Sequence, residues 1–227
     1  MGKDKLKKFK ELESFPNVFQ NHDYRTNRLV NFRGEEMNFK GRWSSSIFSN
    51  QHPLILELAC GKGEYAIGLA KNFPDKNFIG IDVKGARIWR GAKTAIEEQI
   101  SNVAFARMRI NNLVNFFDRD EVSEIWITFS DPFPKNHDAE KRLTSKTFLD
   151  IYRNVCRTDA VIHLKTDSFM FYNSTLESLL QNGCRILESN DDIYGNGVQQ
   201  EELLIKTFYE CIHLKDQKTI KYLKFLL

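Results

Sequence analysis

Leu54-Ile-Leu-Glu-Leu-Ala-Cys-Gly-Lys-Gly63 is an apolar run that ends in two closely spaced glycines. Its length suits a buried strand, and Glu64 to Asn72 then places Ile67, Ala70 and Phe73 on one side of a helix. The same rhythm continues outward. Asn77-Phe-Ile-Gly-Ile81 stops at Asp82, and an alanine- and glutamate-containing helix follows over 84–100. Val103 to Met108 reads as a third strand and Glu124-Ile-Trp-Ile-Thr-Phe129 as a fourth. Phe148, Ile151, Tyr152 and Val155 recur at helical spacing before a fifth strand, Ala160-Val-Ile-His-Leu164. Strands alternating with helices predict an α/β domain whose parallel sheet is covered on both faces. Such sheets bind ligands beyond the carboxyl ends of their strands.

The rest of the chain bounds this reading. At 227 residues and 41% hydrophobic content, it can bury one large core and is too apolar for a disordered chain. No run approaches the length of a membrane span, and the first residues lack the apolar segment of a secretory signal. Four cysteines far apart, with no C-x-x-C, disfavour a disulfide scaffold or a zinc site and make a reducing cytoplasm the expected location. No metal is expected. The net charge of +3 is uneven, because residues 1–42 hold ten Lys/Arg against six Asp/Glu and five of the first ten residues are lysines. That lysine cluster reads either as a solvated terminus or as an arm that meets RNA. Residues 1–50 show no sustained periodicity, so a basic, partly flexible N-terminal extension is expected ahead of a domain spanning 51–227.

Two motifs carry chemistry. In the first, Gly61 and Gly63 allow a tight turn and close approach of a ligand to the backbone, and Asp82 ends the next strand where a carboxylate can accept from ribose hydroxyls. A dinucleotide turn usually reads G-x-G-x-x-G, whereas here the third glycine is displaced to Gly68. Glu57 within the turn region would also repel a diphosphate. It suits a cationic ligand, or it is a strand-end acid that fixes the turn. S-adenosylmethionine, with a sulfonium, an ammonium and no phosphate, is favoured over NAD on these electrostatics.

In the second, Thr128-Phe-Ser-Asp131-Pro-Phe-Pro-Lys135 follows the fourth strand. Each of Asp131 and Phe133 precedes a proline, which predicts an extended, restricted loop. A carboxylate and an aromatic ring there suit a planar substrate such as guanine, whose N1–H and 2-amino group a carboxylate can read together. Alone, the stretch could be an ordinary Asp-Pro turn. Lys141-Arg142-Leu143 is either solvated or holds phosphate. Lys165-Thr-Asp167 ends the fifth strand. Thr207-Phe-Tyr-Glu210 spells a capping box, with Thr207 as N-cap and Glu210 reaching back, or contacts substrate. His163, inside a strand, reads as a core histidine.

Together these motifs resemble the bacterial tRNA (guanine-N7)-methyltransferase family, as do Asn17-Val-Phe-Gln20 and Lys40-Gly-Arg-Trp43 upstream; the resemblance covers most of 17–226. It implies a Rossmann-like, class I S-adenosylmethionine-dependent fold with helices on both faces. The sheet would have seven mostly parallel strands and an antiparallel last one, Lys218–Phe225 beside Cys184–Glu188. It implies methyl transfer to N7 of the variable-loop guanosine of tRNA. By the same resemblance Glu57, Gly61, Gly63, Asp82, Asn111 and Asp131 would hold the cofactor, with Asp131 as the catalytic carboxylate. Lys135, Asp167, Thr207, Phe208, Tyr209 and Glu210 would contact the nucleotide. Asp82 stands where the family usually has Glu, and Phe133 where Trp is common. The family's acid after the third strand falls on Arg109, with Asn111 and Asn112 just beyond, and Asn111 is taken as its substitute. The chain is expected as a monomer or homodimer. The competing readings are methyl transfer to another RNA site or a small molecule, and non-catalytic RNA binding on the same fold. An NAD-dependent oxidoreductase is disfavoured by the displaced glycine.

Overall fold

A computed structural model describes residues 3–198 and 200–227, with side chains from Lys5 onward, so Met1 and Gly2 of the lysine-rich terminus lie outside the described residues. Helix α1 (Lys3–Leu12) precedes three short strands, β1 (Val18–Gln20), β2 (Leu29–Val30) and β3 (Glu36–Met37), and the short helix α2 (Trp43–Ile47). The alternating half follows as β4 (Leu54–Leu58), α3 (Glu64–Asn72), β5 (Asn77–Asp82), α4 (Gly85–Glu97), β6 (Val103–Arg107), α5 (Leu113–Phe116) and β7 (Val122–Thr128). Then come α6 (Lys146–Arg153), β8 (Cys156–Thr166), α7 (Phe169–Gln181), β9 (Arg185–Asn190), α8 (Glu201–Leu204), α9 (Phe208–Lys215) and β10 (Lys221–Leu226).

Among the described residues all ten strands join one sheet, in the order β3-β2-β1-β6-β5-β4-β7-β8-β10-β9. The seven strands from β4 to β10 are the expected core. β4 pairs in parallel with β5 on one side and β7 on the other, so the winding reverses at β4. β10 is antiparallel to both β8 and β9, with Leu223 opposite Leu164 and Ser189. All five residues of β4 are buried, as a strand covered on both faces requires. Alternate side chains feed two cores. Leu54, Leu56 and Leu58 pack with Trp43, Phe117 and Leu164, whereas Ile55 packs with Tyr65, Phe105 and Trp126.

The segment read as an extension contributes to that sheet and core. β1 pairs in parallel with β6, and β2 and β3 extend the edge antiparallel. Trp43 is 0% exposed, donates from Nε1 to the Phe116 carbonyl at 2.8 Å and stacks on Phe117. Strands of two or three residues have no period to read, and their apolar anchors, Phe19, Phe39 and Trp43, are scattered in sequence. The lysine-rich terminus is likewise a helix against α4: Phe9 and Leu12 pack on Gly85, and Trp89 Nε1 donates to Glu11 at 2.8 Å. His163 is a core residue as expected, stacked on Trp126 and 2.7 Å from the Tyr222 hydroxyl. Among the described residues no helix is long and apolar enough to cross a membrane.

Candidate active site

The turn after β4 is built by its glycines and two acids. Gly61 and Gly63 take positive φ (+56° and +68°), and Ala59 does so too. Gly63 is the N-cap of α3 and has no side chain to satisfy the helix's free amides. Glu57 does that from beneath: Oε2 accepts from Ala66 N–H at 2.9 Å and Oε1 accepts from the Thr128 hydroxyl at 2.9 Å. Asp82 closes the turn from the neighbouring strand, its Oδ2 accepting from Gly61 N–H at 2.9 Å and its Oδ1 from Lys84 N–H at 2.8 Å. One of the α3 N-terminal amides, that of Ala66, is therefore committed to a carboxyl group, and an acid so placed is unfavourable for a diphosphate.

Glu57 is buried and, like Gly61 and Gly63, lies outside the lining of the ligand-sized cavity at the strand ends; within the chain it fixes the turn. Burial pushes its carboxyl up to about 8 from 4.5, with Thr128 and Ala66 opposing. A carboxyl raised on folding stabilises fully below its unfolded value, and that contribution is lost as pH rises through the folded one. The Glu57 contribution to stability should thus fall between pH 4.5 and about 8, by an amount of order a few kcal/mol. Glu57→Gln, which can keep both hydrogen bonds, should flatten that slope in melts across the same range. An unchanged slope would show that Glu57 is not the group responsible.

Beyond the ends of β4, β5, β6 and β7, at the reversal of winding, lies a cavity of about 420 Å³, a size suited to a small-molecule ligand. Asp82, Asn111 and Asp131 all line it, as do Ala59, Arg109, Phe129, Ser130 and Phe133. Asn112 is instead held by the N-terminal segment, donating to the Tyr24 carbonyl at 2.9 Å. The structure therefore offers Arg109 and Asn111, not Asn112, at the position of the family's missing acid. Lys84, Arg87 and Lys141 complete a cationic rim. Lys141 pairs with Asp138 at 2.6 Å.

The loop carrying Asp131 departs from the extended path that its prolines predict. Phe133 has φ +45° and Phe129 φ +48°. Two contacts hold Phe133 there: Asp131 Oδ1 accepts its N–H at 3.1 Å, and its carbonyl accepts from Arg142 Nε and Nη2 at 3.2 and 3.0 Å. Arg142 thus orders the loop. Strain of this kind, about 1–3 kcal/mol per residue, persists only where the surroundings over-determine it.

The remaining expected residues divide. Lys135 is exposed and outside the cavity lining. Asp167 is engaged by Lys218 at 2.9 Å and faces His213 at 3.5 Å. Thr207 caps α9 by accepting from Glu210 N–H at 3.1 Å. Glu210 does not reach back as a capping box would; its carboxylate is fully buried against Lys165 at 2.8 Å and Tyr194 at 2.7 Å. A buried lysine offers a charge-assisted bond that outcompetes a neutral backbone amide. Phe208 and Tyr209 stay exposed beside the glycine turn, where Lys62 Nζ lies 3.9 Å from the Phe208 ring centroid. Sequence reasoning does not single out Ser130, which lines the cavity while its hydroxyl is buried with no partner among the described residues. Its only sequence signal is adjacency to Asp131.

A cavity at the winding reversal of this strand order is the architecture of class I methyltransferases. The family model described as "Putative methyltransferase" matches residues 51–222. The 16S rRNA methyltransferase KamB superposes with a TM-score of 0.61 at 14% identity, covering 85% of this chain and 96% of that one, a likeness of fold alone. In sequence the chain is 48% identical over 226 residues to the tRNA (guanine-N(7)-)-methyltransferase of Christiangramia forsetii, covering 99% of this chain and 98% of that protein. It is 38% identical over 227 residues to the same enzyme of Cytophaga hutchinsonii, covering 99% and 98%. The chain belongs to the tRNA (guanine-N(7)-)-methyltransferase family.

Proposed function

We propose that this chain methylates N7 of the variable-loop guanosine of tRNA, with S-adenosylmethionine as donor and Asp131 as the active-site carboxylate. The observation that carries the residue assignment is that Asp82, Asn111 and Asp131, contributed by three different strand ends, line one cavity. The Glu57 carboxyl group on the Ala66 amide, at the α3 N-terminus, fits a ligand without a diphosphate. Asp82 and Asn111 would hold the adenosine, on a backbone shaped by Gly61 and Gly63, while Glu57 keeps the turn in place. The donor supplies a methyl group on a positively charged sulfur.

Guanine N7 has an in-plane lone pair and carries no proton, so the chain need supply no base. Its work is orientation and electrostatics. Asp131 would orient the guanine and offset the positive charge that the ring gains. The cationic rim of Lys84, Arg87, Arg109 and Lys141 would hold phosphates on either side of the target nucleotide. Phe208 and Tyr209 offer faces on which neighbouring bases can stack. Incubation of the protein with unmodified tRNA transcript and S-adenosylmethionine, then nucleoside mass spectrometry, should show 7-methylguanosine. A different methylated nucleoside would move the reaction to another RNA site. Cofactor binding without RNA methylation would favour a small-molecule acceptor.

The α1 lysines add a testable electrostatic contribution. Because Phe9 and Leu12 pack on Gly85, deleting the terminus would also unpack the start of α4. Replacing Lys5, Lys7 and Lys10 with Gln keeps that packing. It should reduce the slope of log affinity against log salt by about one for each phosphate no longer neutralised. An unchanged slope would make these lysines solvated bystanders.

A further inference from the structure

Lys165, near the carboxyl end of β8, is 0% exposed. Its Nζ donates to the carbonyls of Leu203 at 2.9 Å and Ile205 at 3.0 Å, and to the Glu210 carboxylate at 2.8 and 2.9 Å. An ammonium has three N–H bonds, and these partners use all of them. Tyr194 donates to Glu210 at 2.7 Å, and the Tyr65 hydroxyl donates to the Glu202 carbonyl at 2.6 Å. The α8 segment, the connection to α9 and the first turn of α9 are therefore gripped at successive points by groups on β8, α3 and the turn after β9.

A buried ion pair is a poor device for stability, since well-packed apolar replacements are often neutral or better. It does hold geometry, and the segment it holds adjoins the cavity. Phe208 N–H donates to Glu64 Oε2 at 2.8 Å, one residue beyond the Gly63 cap. His213 of α9 stacks on the cavity residue Phe129 with centroids 5.9 Å apart. The Lys165 carbonyl itself accepts from Phe129 N–H at 2.9 Å. One residue thus links the cavity wall, through its backbone, to the α8–α9 segment, through its side chain.

We propose that Lys165 is a positioning residue for the methyl acceptor. By gripping Leu203, Ile205 and Glu210 it fixes α8–α9 so that Phe208 and Tyr209, 50% and 43% exposed, meet the tRNA beside the cavity. The role rests on the reading of this chain as a tRNA methyltransferase.

Lys165→Met alone leaves the Glu210 charge buried and uncompensated, and is expected to destabilise the fold strongly. The informative variant is Lys165→Met/Glu210→Leu, which removes both charges. Because the Leu203 and Ile205 carbonyls lose their donor, it should melt somewhat below the wild type but well above Lys165→Met, and it should bind S-adenosylhomocysteine with wild-type affinity by calorimetry. Its kcat/KM for unmodified tRNA transcript should nevertheless fall roughly 10- to 100-fold, chiefly through KM, because small misplacements of positioning groups have effects of that size. Hydrogen exchange across 201–215 should quicken while that of β4 to β7 is unchanged. Wild-type tRNA kinetics in the double variant would overturn the proposal, as would a loss that merely tracks weaker S-adenosylhomocysteine binding. If the wild-type protein itself forms no 7-methylguanosine, the functional reading fails instead, and unchanged exchange across 201–215 would then overturn the clamp on its own.

Discussion

Asp131→Ala should lower kcat on tRNA by roughly 10²- to 10³-fold while leaving affinity for S-adenosylhomocysteine largely unchanged. The asymmetry follows from where the carboxylate sits. Asp131 is exposed to the cavity, and within the chain its hydrogen bond is to Phe133 N–H through Oδ1. Asp82, by contrast, has both oxygens committed to the turn that would shape the cofactor site. Losing Asp131 therefore removes a charge facing the cavity without dismantling that turn. Asp131→Asn separates charge from loop geometry, because its amide oxygen can still accept from Phe133. If the negative charge offsets the cation forming on guanine, Asn should be nearly as slow as Ala. If the residue serves only to set the loop, Asn should recover most of the rate. Wild-type turnover in the Ala variant, measured by 7-methylguanosine formation, would remove Asp131 from the mechanism.

What can be read in advance follows the length and regularity of each element. β4, α3, β5 and α4 are legible because continuous apolar runs alternate with helical spacing, and both motifs fall at strand ends where this fold places ligands. β1 to β3 are not, because two- and three-residue strands carry no period and are held by tertiary partners such as β6 and Trp43. The site is legible as residue types and less so as contacts. Thr207-Phe-Tyr-Glu210 is a sound helix-start pattern, and Thr207 does cap α9. The fate of the Glu210 side chain depends on Lys165, 45 residues away. Phe133 shows the same limit, since its local preference for an extended backbone yields to an Asx-type bond and a distant arginine.

Gly63→Ala should be the most damaging single-methyl change in the glycine turn after β4, for a reason that only the packing reveals. The Phe105 ring, fully buried on β6, lies against three glycines at once. A Cβ on Gly63 would stand 2.4 Å from ring atom Cε1, one on Gly80 2.8 Å from Cδ1, and one on Gly91 2.7 Å from Cζ. Three elements thus approach one another around a single ring, which brings the turn close enough for Asp82 to accept from Gly61 N–H. Alanine at 63 adds the strain of a left-handed backbone, about 1–2 kcal/mol, to overpacking of about 1–3 kcal/mol. The sum corresponds to a melting temperature lower by roughly 4–20 °C for a domain of this size. Affinity for S-adenosylmethionine should fall with it, because the turn must move off the ring. Gly61→Ala is the matched control: its φ is also positive, but a Cβ there meets nothing within 4 Å, so only the backbone strain applies. Phe105→Leu withdraws the clashing ring atoms. It should cost stability on its own but restore part of what Gly63→Ala loses, a coupling of opposite sign to simple addition. Strict additivity of the two substitutions would show that the turn tolerates the methyl group by another path, and that Phe105 is not what sets its position.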